Sequence, residues 1–349
     1  IKNMVQKIAI NGFGRIGRSF FRLAFEKKDI EIVAINDLSS LDNFVYLLKR
    51  DTVYGGFQKN ISQEEKKEKI GEIESKGYLV VDNKKIYFFQ EKEPKNLPWQ
   101  ELGIDVVIES TGVFEDYQKA KDHLLAGAKK VIISAPAKGE EKKDGRMILI
   151  GINEEEKKDY RVISNGSCTT NAVSPVMAVL EEKIGIKKAI LNTIHAYTAT
   201  QSLVDGISEK DFLRGRAAAI NIVPSTTGAA KSVAKVLNHL ENKFDGLALR
   251  VPVVCGSIAD ITFISQRETS KEEINQILKQ SSVDPRWQGI LGVSEEPLVS
   301  SDIIKTTTPA IVDLTFTNVV DKDLVKVLVW YDNEWAYSWT LLQQVIRNQ

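Results

Sequence analysis

The run Val5 to Ile10 is short, apolar and strand-like, and it leads directly into Gly12-Phe13-Gly14-Arg15-Ile16-Gly17. A helical pattern follows over Arg15–Lys27, with Ile16, Phe20, Leu23 and Ala24 on one face, and then a second strand-like run over Ile30–Asn36. A glycine triplet between a strand and a helix constrains the fold more than any other feature of the chain. The glycines allow a tight turn, close approach of a pyrophosphate and close helix packing, and the helix N-terminus faces the anion. Asp37 stands 20 residues after Gly17 at the end of the second strand, where a carboxylate accepts hydrogen bonds from ribose hydroxyls. A turn with a capping aspartate is the competing reading, and this context favours a dinucleotide site. Asp37 would repel a 2′-phosphate and Leu38 supplies no donor to offset it, so the expectation is NAD over NADP.

Further apolar runs at Asp105–Ile108, Lys130–Ile133 and Met147–Ile150 alternate with polar helical segments, predicting a parallel sheet covered on both faces. From Lys187 the strands lengthen: Ala189–His195, Gly246–Pro252, Ile258–Arg267, Ala310–Asn318 and Leu324–Tyr331. Such strands predict a mostly antiparallel sheet. The closing Glu334–Arg347 segment reads as a helix with Ala336, Trp339, Leu342 and Ile346 on one face. The fold class is therefore α/β: a Rossmann-type doubly wound nucleotide domain plus an α+β catalytic domain. At 349 residues the chain is long enough for both. Gln63–Lys76, dense in Glu and Lys, reads as a solvated loop or short surface helix.

Lysine plus arginine and aspartate plus glutamate both total 47, so no global field favours nucleic acid or an anionic membrane. The start of the sequence lacks the pattern of a signal peptide, and no apolar run reaches the roughly 20 residues needed to span a bilayer. Two cysteines, Cys168 and Cys255, form no disulfide framework and fit a reducing, cytoplasmic setting. No metal-ligand spacing stands out.

Cys168, in Ser167-Cys168-Thr169-Thr170-Asn171, precedes a helical pattern of Val173, Val176, Leu180 and Ile184. A thiol at a helix N-terminus gains thiolate character from the dipole. A lone cysteine is more often a small buried hydrophobe, and Cys255 keeps that reading. His123, His195 and His239 are the available imidazoles. His123 and His239 lie in charged helical segments and read as solvated surface residues, whereas His195 closes a strand and is either a base or a satisfied core histidine. Thr226-Thr227-Gly228-Ala229-Ala230-Lys231 reads as a capped helix start able to present amides to an anion.

Asn11–Arg18, Ser110-Thr111-Gly112-Val113-Phe114, Ser164–Asn171, His195–Gln201, Pro224–Lys231 and Trp330–Trp335 together closely resemble the glyceraldehyde-3-phosphate dehydrogenase family, in family order over nearly the whole chain. The resemblance implies phosphorylating, NAD-dependent oxidation of glyceraldehyde 3-phosphate to 1,3-bisphosphoglycerate, a step of glycolysis and gluconeogenesis. Cys168 would be the nucleophile of a hemithioacetal and thioester, and His195 the base. Substrate and inorganic phosphate would be held by Ser167, Thr169, Thr198, Arg214, Thr227, Gly228 and Arg250. NAD would be held by Asn11, Gly12, Phe13, Gly14, Arg15, Ile16, Asp37, Lys92, Ser110, Thr111, Gly112, Ser134, Asn333 and Tyr337. It also implies a nucleotide domain of residues 1–167 and 332–349, a catalytic domain of 168–331, and a homotetramer.

The chain departs from the family pattern in four places. Ala172 stands where many members have a second cysteine, and Lys92 replaces an arginine near the adenine, keeping the charge but not the planar fork. Tyr54–Lys85 reads as a surface insertion, and Val253-Val254-Cys255-Gly256 replaces a usual Thr-Pro-Asn segment near subunit contacts. The alternatives are an erythrose-4-phosphate dehydrogenase, whose His195–Thr198 and Arg214–Arg216 counterparts this chain resembles less, and a catalytically silent NAD-binding interaction protein.

Overall fold

A computed structural model describes residues 5–209 and 211–347. It divides into two compact units. The first comprises residues up to Ile148, Glu154–Gly166 and the chain from Ser338; the second comprises Leu149–Asn153 and Ser167–Tyr337.

The first unit contains β1 (Gln6–Asn11), α1 (Arg15–Ala24), β2 (Ile30–Asn36), α2 (Leu41–Lys49), β3 (Ile61–Glu64), β4 (Lys69–Ile70), β5 (Ile73–Glu74), β6 (Gly77–Val81), β7 (Lys84–Phe89), α3 (Trp99–Leu102), β8 (Val106–Glu109), α4 (Tyr117–Ala120), α5 (Asp122–Leu125), β9 (Lys130–Ile133), β10 (Arg146–Met147) and β11 (Val162–Ser164). Nine of these strands form one sheet in the order β10-β11-β9-β8-β1-β2-β7-β6-β3. It is parallel from β10 to β7, and β6 and β3 add an antiparallel edge. The central strands are apolar on both sides; Ile8, Ala9, Ile10, Val107, Ile108, Val131 and Ile132 are buried, as a doubly covered parallel sheet requires.

The Glu/Lys-rich segment differs from the sequence reading. It contains no helix: Lys69–Ile70 and Ile73–Glu74 pair as a small hairpin around Gly71. Ile70 and Ile73 pack against the cluster that holds Trp99, so two apolar residues outweigh the helical charge spacing around them. The run Met147–Ile150 likewise supplies only the end of a two-residue strand.

The second unit contains α6 (Cys168–Ile184), β12 (Ile186–Ala196), β13 (Val223–Thr226), α7 (Ala229–Val236), β14 (Phe244–Val251), β15 (Ser257–Ser265), α8 (Lys271–Ser282), β16 (Leu291–Ser294), β17 (Ala310–Val320) and β18 (Leu324–Tyr331). The seven strands run β13-β14-β12-β15-β18-β17-β16. Four of the six pairings are antiparallel; β12–β14 and β16–β17 are parallel. Thirteen of the 17 residues of α6 are buried, so this helix runs through the core rather than along its surface. The closing helix, α9 (Trp335–Ile346), contributes to both units.

Candidate active site

In the first unit, Gly12 has φ +90, and a Cβ there would stand 2.6 Å from the Ser110 carbonyl carbon and the Thr111 nitrogen. A Cβ on Gly17 would stand 2.2 Å from the Gly12 carbonyl oxygen. These two glycines let the turn pass β8 and let α1 pack against it. Gly14 differs: a Cβ there would meet nothing within 4 Å, which leaves the helix N-terminus open to an anionic group. Asp37 Oδ2 accepts from the Phe13 N–H at 2.7 Å and Oδ1 from the Ser39 N–H at 2.9 Å. A carboxylate has about four lone-pair sites, so it retains capacity for ribose hydroxyls.

The other first-unit candidates are partly committed. Phe13 is buried among the rings of Phe21 and Phe44. Arg15 donates to Asp51 at 2.7 Å and lies over the Tyr54 ring. Ser110 Oγ donates to the Gly12 carbonyl at 2.7 Å. The Ser134 N–H donates to the Glu109 carbonyl at 2.9 Å, while Ile16 is half-buried and Gly112 and Lys92 are exposed. Asn11 turns its side chain into the interior, where it donates to Glu109.

His123 corrects the surface reading, since it is fully buried. Its Nδ1 accepts from Trp99 Nε1–H at 3.0 Å, and its Nε2 lies 3.0 Å from Glu109. Short-range charge spacing placed it outside; the buried carboxylate and indole come from segments distant in sequence. His239 is half-exposed, 3.8 Å from Glu181.

In the second unit, Ser167 is the N-cap of α6; its Oγ accepts from the Thr170 N–H at 3.0 Å, an interaction worth about 0.5–2 kcal/mol to a helix. Cys168 thereby takes the first helical position. Its Sγ lies 3.4 Å from His195 Nε2, across 27 residues of sequence. His195 Nδ1 is 2.7 Å from the Ala196 carbonyl, which can only accept. Arg250 Nη1, which can only donate, lies 2.5 Å from the same Nδ1, so the two neighbours of Nδ1 call for opposite tautomers.

Arg250 pairs directly with His195 across the parallel β12–β14 ladder, and its Nη1 donates to the same Ala196 carbonyl at 3.1 Å. Burial, with the Arg250 charge second, lowers the His195 pKa to about 3. Burial pushes the Cys168 thiol up, against the pull of Arg250 and of the hydrogen bonds around Thr169. The helix N-terminus predicted for Cys168 is present, and desolvation works against the thiolate that it favours.

Tyr331 completes this cluster and was not singled out from the sequence. Its hydroxyl bridges Thr169 Oγ1 at 2.9 Å and Thr193 Oγ1 at 2.7 Å, and its ring meets His195 edge-on at 5.9 Å. Only the strand register, which brings β18 beside β15 and β15 beside β12, could have revealed it.

The anion candidates fall in two groups. Ser167, Cys168 and Thr169 open α6, with the Thr169 hydroxyl tied to Tyr331. Arg214 and Thr227, with Thr200, Ser225 and Lys231, line a groove of about 1350 Å³. Arg214 donates to Ser225 Oγ at 3.1 Å and meets Asp211 at 3.2 Å, and its charge is felt at Arg250. Thr227 Oγ1 accepts from the Ala229 N–H at 3.2 Å and Gly228 is the N-cap of α7, so the predicted capped helix start is present. Thr198 Oγ1 pairs with Thr200 Oγ1 at 3.0 Å.

Asn333 and Tyr337 are both buried in the second unit. Asn333 Oδ1 accepts from the Gly256 N–H at 3.0 Å and from Ser257 Oγ at 3.1 Å, so its amide NH2 is the part left to offer a ligand. Cys255 is buried with its thiol 3.4 Å from Asp332 Oδ1, consistent with its structural reading.

A sequence model described as the NAD binding domain of glyceraldehyde 3-phosphate dehydrogenase matches residues 6–117, and one described as its C-terminal domain matches residues 167–333. The glyceraldehyde-3-phosphate dehydrogenase of Thermotoga maritima is 49% identical over 336 residues, covering 95% of this chain and 96% of that one. Those of Borreliella burgdorferi and Geobacillus stearothermophilus are 45% and 44% identical over 95% and 96% of this chain, and 96% of each of theirs. Two domain matches in order and near-complete coverage at such identity lead to one conclusion: the chain belongs to the glyceraldehyde 3-phosphate dehydrogenase family.

Proposed function

We propose that this protein oxidises glyceraldehyde 3-phosphate with NAD and inorganic phosphate to 1,3-bisphosphoglycerate. The observation that carries this reading is the contact between Cys168 Sγ and His195 Nε2 at a capped helix N-terminus, in a chain of this family. The residues also fit NAD: Gly14 leaves an open cradle at the start of α1, and Asp37 keeps lone pairs for the ribose while repelling a 2′-phosphate. When bound, NAD supplies the hydride acceptor.

The residues of the chain do the remaining work. Sγ adds to the aldehyde carbon as its proton passes through His195 Nε2 to the carbonyl oxygen, giving a hemithioacetal. As hydride leaves that carbon, the hydroxyl proton goes to Nε2 and a thioester remains on Cys168. Phosphate attacks the thioester carbon, the C–S bond breaks, and the sulfur recovers its proton. Arg214 and Arg250 supply the charge for the two phosphates, with hydroxyls and amides from Ser167, Thr169, Thr198, Thr227 and Gly228 completing the sites. As the family resemblance implies, Asn333 would hold the nicotinamide carboxamide of bound NAD through its amide NH2, with Tyr337 near the ring.

The test is NADH absorbance with the three-carbon aldehyde phosphate, with and without inorganic phosphate, repeated with NADP and with erythrose 4-phosphate. Expected is phosphate-dependent turnover that prefers NAD and the three-carbon substrate. Phosphate-independent turnover or preference for the four-carbon sugar would replace the reading, and a preference for NADP would overturn the role of Asp37.

The segment 203–222 leaves Leu203, Val204, Ile207, Phe212, Ile220 and Ile222 more than half exposed. So many large apolar side chains in one segment favour burial against another subunit, and the family implies a homotetramer. Sedimentation at micromolar concentration should give the mass of four chains; a monomer would exclude it. Both cysteines are free, which suits the reducing cytosol, and among the described residues no helix is long and apolar enough to cross a membrane.

A further inference from the structure

The C-terminal ends of β7, β2, β1 and β8 are joined by a buried belt of hydrogen bonds that the catalytic steps do not use. The Glu91 N–H, just beyond β7, donates to Asn36 Oδ1 at 2.8 Å. Asn36 Nδ2 donates to Asn11 Oδ1 at 2.7 Å, and Asn11 Nδ2 donates to Glu109 Oε2 at 2.5 Å. From the other side, Trp99 Nε1–H donates to His123 Nδ1 at 3.0 Å. An indole can only donate, so Nδ1 is unprotonated and the proton of the neutral ring sits on Nε2, which donates to Glu109 Oε2 at 3.0 Å. Asn11 Nδ2 and His123 Nε2 therefore both point at one carboxylate oxygen, while Asn36 Nδ2 also donates to the Glu91 carbonyl at 2.9 Å.

Glu109 Oε1 has separate partners: the Thr111 N–H at 2.8 Å and the Thr111 hydroxyl. Glu109 is 2% exposed, Asn11 1% and His123 0%, so none of these groups has water as a substitute. One oxygen of Glu109 thus holds the residue before Gly12, and the other holds the turn that begins at Thr111. These two turns touch at Gly12, where even a Cβ would collide with Ser110 and Thr111.

We propose that Glu109 is a positioning residue for the dinucleotide. Its carboxylate fixes the spacing between the Gly12–Gly14 turn and the Thr111–Val113 turn, and His123 and Trp99 serve to hold that carboxylate. The inference rests on the NAD reading above. A chain of like-directed donors ending on an acceptor-only group has one consistent arrangement, whereas an amide in the same place sets an NH2 against donors on one of its two sides. Losing that arrangement leaves the core packed but lets the two turns shift, and a ligand held between oriented amides loses affinity when they move.

The experiment is calorimetric titration of the full-length protein with NAD, alongside steady-state kinetics and alkylation of Cys168 by iodoacetamide without NAD. Glu109→Gln should raise the NAD Kd and KM tenfold or more, leave kcat at saturating NAD within twofold, and leave the alkylation rate unchanged. His123→Leu should weaken NAD binding threefold or more, and His123→Gln, whose NH2 can again donate to Oε2, should restore most of it. The proposal is overturned if Glu109→Gln binds NAD as the wild type does, or if kcat, alkylation and melting temperature fall in step with affinity. If Glu109→Gln does not fold, the two His123 variants decide, and equal affinity in all forms overturns it. A wild type that binds no NAD removes the cofactor reading itself and this proposal with it.

Discussion

Cys168→Ala should lose NADH formation by a factor on the order of 10⁴ or more while keeping its fold and its NAD affinity. The thiol is the atom to which the substrate carbon bonds, and the chain has no substitute for it. Cys255 is 1% exposed and its Sγ is 3.4 Å from the Asp332 carboxylate, so it cannot take over. The structural cost is small by contrast. The cap on α6 comes from Ser167, not from Cys168, and alanine is the best helix former for the first turn. Deleting one partly buried sulfur costs roughly 1 kcal/mol, a shift of about 1–2 °C in Tm for a chain of this size. Measured together, NADH production, NAD binding and thermal melting should separate chemistry from folding. A Cys168→Ala protein that still turned over would refute the covalent mechanism. One that was inactive and also unfolded would instead make Cys168 a core residue.

The parts of this molecule that the sequence made legible are those in which neighbours along the chain are also neighbours in space. The strand, Gly-rich turn and helix from Gln6 to Ala24 are local, and β2 appears at Ile30–Asn36 as its apolar run predicts. The same holds for Ser167 and Cys168, whose cap and helix are written in five consecutive residues. Pairing between distant segments was not legible. His123 sits in a segment whose charges indicate solvent, and it is buried because Glu109 and Trp99, far from it in sequence, satisfy both ring nitrogens. Tyr331 enters the site only through three adjacent strands. Of the two readings of Gln63–Lys76, loop or short surface helix, the helix is absent: i, i+4 charge spacing is a weak local signal, and the tertiary contact of Ile70 and Ile73 overrides it. The resemblance to a family supplied the link between Cys168 and His195, which no local rule contains.

His195→Asn should lower kcat by about 10²–10⁴, the usual worth of a positioned general base. How it affects the thiol decides whether the two groups form an ion pair. In an ion pair, the imidazolium would hold the thiolate, alkylation of Cys168 would already be near its plateau at neutral pH, and removing His195 would move the profile upward. The site has the opposite electrostatics. His195 is held neutral down to about pH 3 by burial and by Arg250, and burial raises the thiol. A raised thiol pKa means that the thiolate fraction, and with it the alkylation rate, keeps climbing through the alkaline range. A neutral imidazole contributes no charge to that titration, so His195→Asn should lose turnover yet keep nearly the same alkylation profile. Arg250→Leu should do the reverse, moving the profile to still higher pH, because Arg250 is the first of the groups that lower the thiol pKa. Rates of iodoacetamide labelling from pH 6 to 10 in the three proteins test the assignment. A wild-type rate that is flat around neutral pH, or a large upward shift in His195→Asn, would establish the ion pair and overturn the neutral one.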